Sequence, residues 1–158
     1  MIVLQIDIET PEWAGLEAVA QRAGDAALAR WPDREGEAAL LLTDDGRLQA
    51  LNGQFRGKDA PTNVLAFPAP ANPEGSIGDI AVAYGVCRSE AAEQGKSLAD
   101  HLSHLVIHGA LHLMGYDHMT EAEAEAMEAL ERELLAGLGV PDPYDATYAQ
   151  GDHVQHGP

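Results

Sequence analysis

The chain has little cysteine, no long hydrophobic run and little positive charge. Cys87 is the one cysteine among 158 residues, which excludes an intramolecular disulfide framework and suits a reducing compartment. No apolar stretch approaches the roughly 20 residues that cross a bilayer, and residues 1–9 lack the basic region of a signal peptide. We therefore expect a cytoplasmic protein without a membrane segment.

Positive charge is scarce, because 9 Lys and Arg residues stand against 26 Asp and Glu residues, a formal net charge of -17. Nucleic-acid-binding proteins usually carry a basic surface, so this composition argues against tight binding to naked RNA or DNA. Hydrophobic residues make up 46% of the chain, enough for one core at this length. We predict one domain over residues 1–140 and a flexible polar tail over residues 141–158.

The spacing of apolar residues predicts strands alternating with helices. Period-two alternation and β-rich composition predict strands, whereas apolar residues three and four apart predict helices. The predicted strands cover residues 2–8, 38–43, 62–67 and 77–83. The predicted helices cover residues 11–30, 47–55 and 84–94, a stretch from Ser97 to Gly115, and a last helix that starts at Thr120.

Two of these helices carry an apolar stripe. In the helix over residues 47–55, Leu48, Leu51 and Phe55 form a stripe that we assign to the core. The last helix has an inward stripe formed by Met127, Leu130, Leu134 and Leu138. We assign its glutamates to a solvated face.

Three histidines, at positions 108, 112 and 118, are the most informative feature of the chain. Residues four apart share one face of a helix, so His108 and His112 can direct two imidazoles at one ion. Gly115 can end the helix in a left-handed conformation, and the turn through residues 116–117 then brings His118 back as a third ligand. Three protein ligands leave a zinc ion one open position, which is typical of catalytic zinc sites.

The remaining histidines are weaker candidates. His104 lies one turn before His108 and is predicted to pack beside the site, whereas His101 is predicted to be solvated. His153 and His156 fall in the polar tail and receive no role. Three imidazoles suit zinc, nickel and other divalent transition metals, so the residues alone leave the metal open.

The histidine spacing is close to the His-Glu-x-x-His pattern of zinc peptidases, with one difference. In that pattern the residue after the first histidine is a glutamate that acts as general base, and here it is Gly109. A hydrolase built on this site needs a base from elsewhere, and Asp117 is the nearest carboxylate in the sequence. The substitution weakens the peptidase interpretation.

Residues His108–His118 read His-Gly-Ala-Leu-His-Leu-Met-Gly-Tyr-Asp-His. This stretch resembles the signature of the YbeY family of bacterial rRNA maturation endoribonucleases. Residues 51–68 and 78–80 resemble the second and third blocks of that family, in the same order and with a similar separation. One departure is Ala66, where the family often carries serine.

The resemblance implies a zincin-like metallohydrolase fold, a single α+β domain in which a small mixed four-stranded sheet packs with about five helices. It also implies a single-strand-specific endoribonuclease that acts in 16S rRNA 3′-end maturation and ribosome quality control. Ribosomal particles or ribosomal proteins would be its partners besides RNA. Zn²⁺ would be held by His108, His112 and His118, and Arg56 would neutralise the charge that develops on the phosphate.

Two other functional classes stay open. A zincin-like metallopeptidase or another metallohydrolase is favoured by the helical histidine pair and opposed by Gly109. A non-catalytic, ribosome-associated zinc protein is favoured by the acidic charge and opposed by the open fourth position. For Arg56 the alternative role is that of a cation at a helix C-terminus, where it meets the helix dipole.

Overall fold

The computed structural model describes residues 1–145 of the chain. Its regular elements are, in order, β1 (Ile2–Ile8), α1 (Glu17–Leu28), β2 (Gly36–Thr43), α2 (Asp45–Arg56), β3 (Val64–Pro68), β4 (Ser76–Ala83), α3 (Tyr84–Glu93), α4 (Leu98–Leu113) and α5 (Glu121–Gly137). Four strands and five α-helices within these residues confirm the predicted α+β class. No helix in this described part is both long and apolar enough to span a membrane.

The strands form one mixed sheet in the order β1-β2-β4-β3. β1 pairs with β2 and β2 pairs with β4 in parallel, whereas β3 pairs with β4 in the antiparallel sense. Ile80 in β4 lies between Leu40 of β2 and Ala66 of β3. The mixed four-stranded sheet is therefore confirmed, and β3 forms one of its edges.

The inner face of the sheet, the face that carries Leu40 and Ile80, is covered by α1 and α4. Each helix approaches a strand through a glycine. A Cβ atom on Gly24 would lie 2.2 Å from Leu4 Cδ2, and a Cβ atom on Gly109 would lie 2.7 Å from Ile80 Cγ2. Contacts this short leave no room for a larger residue, so the two glycines set how closely the helices lie on the sheet.

The outer face is covered only in part, by α2. Leu65 and Ala81 alternate with the inner-face residues along their strands and form a small buried cluster with Leu48. Among the described residues, Val3 on this face is 47% exposed, and Phe55 at the end of α2 is 59% exposed. The assignment of Phe55 to the core is therefore wrong, because the ring lies on the surface beside Phe67 of the edge strand β3, with ring centroids 5.2 Å apart.

The predicted helix over residues 11–30 is wrong in its bounds. Pro11–Trp13 forms a 3₁₀ turn, and Gly15 with a φ of 87° separates it from α1. Trp13 is buried, and its indole Nε1 donates a hydrogen bond to the carbonyl oxygen of Thr43 at 2.9 Å. The chain breaks the helix here because the left-handed glycine and the buried indole are incompatible with a continuous helix.

Candidate metal centre

α4 carries two of the three predicted metal ligands. The hydroxyl of Ser97 accepts a hydrogen bond from the backbone N–H of Asp100 at 3.0 Å, which caps the start of the helix as predicted. The helix is buried over most of its length against the sheet and its neighbours. His108 and His112 lie one turn apart on it, so the core fixes the backbone of both residues.

The turn after α4 supplies the third histidine. Gly115 has a φ of 102°, and the backbone N–H of Tyr116 donates to the carbonyl oxygen of Leu111 at 3.0 Å. The chain then reverses, and the imidazoles of His108 and His118 stack with centroids 5.7 Å apart. One nitrogen from each of His108, His112 and His118 lies within 4.8 Å of the other two. The fold thus brings together the three histidines whose convergence the sequence predicted.

The geometry of these nitrogens fits a single metal ion. Nε2 of His108 and Nε2 of His112 are 3.2 Å apart. Two imidazoles bound tetrahedrally to one zinc ion at about 2.0–2.1 Å would hold their nitrogens about 3.3–3.4 Å apart. Burial, together with the neighbouring His108 and His118, lowers the pKa of His112 to about 4. His112 is therefore neutral at neutral pH, which is the form that binds a metal.

Glu131 of α5 reaches the site from the opposite side of His108. It is 0% exposed, and its Oε2 lies 2.6 Å from Nδ1 of His108. Burial raises the pKa of Glu131, but hydrogen bonds with His104 and His108 outweigh it and hold the pKa below the usual range. The prediction that the glutamates of α5 are all solvated is therefore wrong for this residue.

Sequence reasoning missed Glu131 although the pattern contains a signal for it. Glu131 lies four residues after Met127 and three before Leu134, so it belongs to the inward stripe of α5. A charged residue on a buried stripe normally has a partner, since an unpaired buried carboxylate is costly. Here the partners are two histidines of α4.

The two other histidines of α4 are both buried. Nε2 of His104 lies 3.2 Å from Oε1 of Glu131, which confirms that His104 packs beside the site. Burial lowers the pKa of His104 to about 4, although the hydrogen bond with Glu131 opposes the shift. His101 is 0% exposed, and its Nε2 lies 2.8 Å from Oε1 of Glu90 on α3. The prediction that His101 is solvated is wrong, because α3 covers that turn of α4.

Tyr144 belongs to the predicted tail and contacts the carboxylate of Glu131 on the side away from His108. Residues 141–145 are described, and the hydroxyl of Tyr144 donates a hydrogen bond to Oε1 of Glu131. The same hydroxyl lies 3.2 Å from Nε2 of His104. Residues 146–158, including the two histidines of the tail, lie outside the described residues, so the flexibility of that part stays a prediction.

Arg56 lies at the C-terminal end of α2 and is exposed. Its Nη2 donates to the carbonyl oxygen of Ala66 at 3.2 Å, and its guanidinium carbon lies 5.8 Å from the ring centroid of Phe67. Both contacts are to the edge strand β3, whose neighbour β4 packs against α4 through Ile80 and Gly109. Arg56 is thus attached to the edge of the same sheet that supports the histidine helix.

The two positions that bear on a general base differ in their surroundings. Asp117 is exposed, and its Oδ1 accepts a hydrogen bond from the backbone N–H of His118 at 2.7 Å. Position 109 faces the sheet, where a Cβ atom would meet Ile80. A glutamate at position 109 would collide with the Ile80 side chain unless that side chain or α4 shifted, so this packing disfavours the base of the zinc peptidase pattern there.

Comparison with known proteins assigns the family. The model of the family described as Endoribonuclease YbeY matches residues 5–139. The chain belongs to the YbeY family. It is 54% identical over 144 residues to an Endoribonuclease YbeY of Rhodopseudomonas palustris (strain HaA2), covering 83% of this chain and 74% of that protein. It is 48% identical over 157 residues to an Endoribonuclease YbeY of Paramagnetospirillum magneticum, covering 90% of this chain and 96% of that protein.

A solved structure shares the fold of this YbeY family member. The solution structure of TM1509 from Thermotoga maritima superposes with a TM-score of 0.58 at 25% sequence identity. The alignment covers 88% of this chain and 92% of that one. The α+β architecture expected from the resemblance to the YbeY family is confirmed, and the endoribonuclease names of the relatives do not favour the peptidase alternative.

Proposed function

We propose that this protein is a metal-dependent endoribonuclease that cuts single-stranded RNA in the cytoplasm, in 16S rRNA 3′-end maturation and ribosome quality control. The observation that carries the proposal is the convergence of His108, His112 and His118 in a member of the YbeY family. Three neutral imidazoles and an open fourth position are the donor set of a catalytic zinc ion. Zinc is the metal proposed, and other divalent transition metals suit the same donors.

Each side chain has a separate task in this proposal. Bound zinc would supply a Lewis acid that polarises a phosphoryl oxygen and lowers the pKa of water towards about 7. His108, His112 and His118 would hold the ion through one ring nitrogen each. Arg56 contacts the negatively charged phosphate, the type of bidentate contact that a guanidinium group makes well. Its exposure at the edge of β3 leaves the guanidinium accessible to RNA.

The acidic character of the chain supports substrate delivery by a partner. A net charge of -17 repels a polyanion, so the affinity for naked RNA should be low. Nine of the acidic residues follow residue 118, where Arg132 is the one basic residue in the sequence. A ribosomal particle or ribosomal protein that presents the RNA would supply the affinity that the chain lacks.

The test is cleavage of matched RNA substrates by metal-loaded protein. We expect slow cutting of single-stranded RNA, little cutting of the same sequence in a duplex, and no turnover of an unfolded protein substrate. Cleavage should weaken as salt rises, since the few phosphate contacts are electrostatic. Ribosomal particles that contain precursor 16S rRNA should be cut faster than naked RNA.

The control is His108→Ala protein purified in parallel, because contaminating ribonucleases can imitate slow activity. Equal RNA cleavage by this variant would remove the nuclease proposal. Metal-dependent proteolysis by the wild type that is absent from the variant would establish the peptidase alternative. Metal that binds without any turnover of RNA or protein would favour the non-catalytic zinc protein.

A further inference from the structure

The buried carboxylate of Glu131 has a geometry that bears on how His108 binds a metal. Glu131 lies on α5, and both of its oxygens point at polar groups. Its Oε2 lies 2.6 Å from Nδ1 of His108. Its Oε1 accepts a hydrogen bond from the hydroxyl of Tyr144 and lies 3.2 Å from Nε2 of His104. With partners on both oxygens, the carboxylate cannot turn without losing a hydrogen bond.

We propose that Glu131 is a positioning residue that fixes the tautomer and the ring orientation of His108 for metal binding. An ionised carboxylate only accepts hydrogen bonds, so a His108 ring that carries a single proton must carry it on Nδ1. Nε2 then keeps its lone pair and faces Nε2 of His112 at 3.2 Å. Glu131 thereby selects the nitrogen of His108 that is free to bind. This inference rests on the proposed metal site.

The position of Glu131 is itself secured by the segment after α5. Tyr144 reaches back to Glu131, and the guanidinium carbon of Arg132 lies 5.2 Å from the centroid of the Tyr144 ring. Arg132 also forms an ion pair with Asp142 at 3.2 Å. Through these contacts, residues 142–144 hold the carboxylate of Glu131 against α4. His108 is thus oriented through Glu131, which is itself held by the segment that follows α5.

A purely structural role for Glu131 makes a different prediction. In that case the carboxylate would only join α5 to α4, and its loss would lower stability without changing the His108 ring. A buried charged group is weak evidence for stability, because its desolvation offsets much of what its contacts contribute. A test must therefore read the tautomer and the metal affinity as well as the stability of the fold.

The experiment compares wild type, Glu131→Ala and Glu131→Gln, with Glu125→Gln as the matched control. Glu125 lies on the same helix and is exposed. Long-range ¹⁵N NMR of the metal-free proteins reports which ring nitrogen of His108 carries the proton. Competition against a chromophoric chelator gives the Co²⁺ affinity, and the visible spectrum of the Co²⁺ protein reports the ligand geometry.

In wild type and in Glu125→Gln we expect His108 protonated on Nδ1 and the same Co²⁺ affinity. Glu131→Ala should lose the Nδ1 preference, alter the Co²⁺ spectrum and bind Co²⁺ about 10–100-fold more weakly, the usual effect of removing such a partner. Glu131→Gln should lose less of the Nδ1 preference and of the Co²⁺ affinity, because its side-chain carbonyl oxygen can still accept a hydrogen bond from Nδ1 of His108. If Glu131→Ala does not fold, Glu131→Gln, which preserves the volume, carries the comparison on its own against Glu125→Gln.

Two results would count against the inference in distinguishable ways. If both Glu131 variants keep the wild-type tautomer, spectrum and Co²⁺ affinity while His112→Ala loses Co²⁺, Glu131 is not a positioning residue and the metal site stands. If wild type itself does not bind Co²⁺, Zn²⁺ or Ni²⁺, the proposed metal site fails and this inference fails with it.

Discussion

The two halves of the proposed site differ in how the fold holds them. His108 is 3% exposed and is hydrogen-bonded to Glu131 on α5. It lies on α4, which packs closely against β4. Arg56 is exposed and is attached to β3 by one hydrogen bond to Ala66 and by the nearby ring of Phe67. The metal half is part of the core, whereas the phosphate half lies on the surface. Substitutions in the first half should therefore change metal binding and folding, and those in the second half only the reaction.

The largest expected effect is the loss of bound metal in His112→Ala, which tests the metal half of the site. Purified wild-type protein should carry about one transition metal per chain, and the variant should lose most of it, because a site with two ligands binds far more weakly. Elemental analysis of both proteins measures the difference. Equal metal content would contradict the three-histidine site. If the metal served only for folding, the same variant should also unfold, which a thermal melt would reveal.

Arg56→Ala tests whether the surface half acts only on the reaction. We expect RNA cleavage to fall by roughly 100-fold, the scale observed when a group that stabilises developing charge is removed. Stability should change by no more than about 0.5 kcal/mol, as for most exposed substitutions. Single-turnover cleavage and thermal melts separate the two effects. A variant that melts many degrees lower yet cleaves normally would make Arg56 a structural residue.

Gly109→Ala probes how tightly the metal helix is pressed against the sheet. The added methyl group would lie 2.7 Å from Ile80, so we expect a loss of about 1–3 kcal/mol in the free energy of unfolding. Gly137→Ala on α5 is the matched control, since a Cβ atom there has no neighbour within 4 Å. That change should be neutral or should stabilise by up to about 1 kcal/mol. Urea unfolding curves measure both free energies of unfolding. If Gly109→Ala is as stable as Gly137→Ala, α4 can shift at little energetic cost.

A pH dependence of stability should also originate in the buried half. Burial lowers the pKa of His104 to about 4 from 6.5, so between these values the unfolded chain binds a proton that the folded chain does not. The free energy of unfolding of the metal-free protein should therefore fall as the pH falls from 6.5 towards 4, by on the order of 1 kcal/mol per pH unit. Denaturant unfolding across this range measures the slope. His112, whose pKa is also lowered to about 4, contributes over the same range, so His104→Gln should reduce the slope by about half, and an unchanged slope would contradict the contribution of His104.

Much of the architecture could be predicted from local patterns. The alternation over β1, the capping residues Asp44, Ser97 and Thr120, and the spacing of His108 and His112 are all encoded within a few neighbouring residues. Such signals act through the backbone of one element, so they are visible without the rest of the fold. The return of His118 was predictable for the same reason, since Gly115 marks the turn.

The residues that escaped prediction depend on contacts between distant elements. Phe55 has the spacing of a core residue, but at the end of α2 it lies against the edge strand β3 and stays exposed. His101 is buried by α3, and Glu131 is buried by α4, although both are polar residues for which exposure is the usual outcome. Nothing within their own helices determines these partners. A charged residue on an apolar stripe, as with Glu131, is the one local sign that such a contact exists.

The contact between Gly109 and Ile80 has a consequence for the dimensions of the site. His108 and His112 lie on either side of Gly109 along one rigid helix, and Arg56 is attached to the strand beside β4. Gly109 therefore sets how closely the helix that carries two of the proposed ligands approaches β4, the strand next to the one that Arg56 contacts. A substitution at position 109 can therefore alter the surroundings of the site without changing any residue that is proposed to bind metal or phosphate.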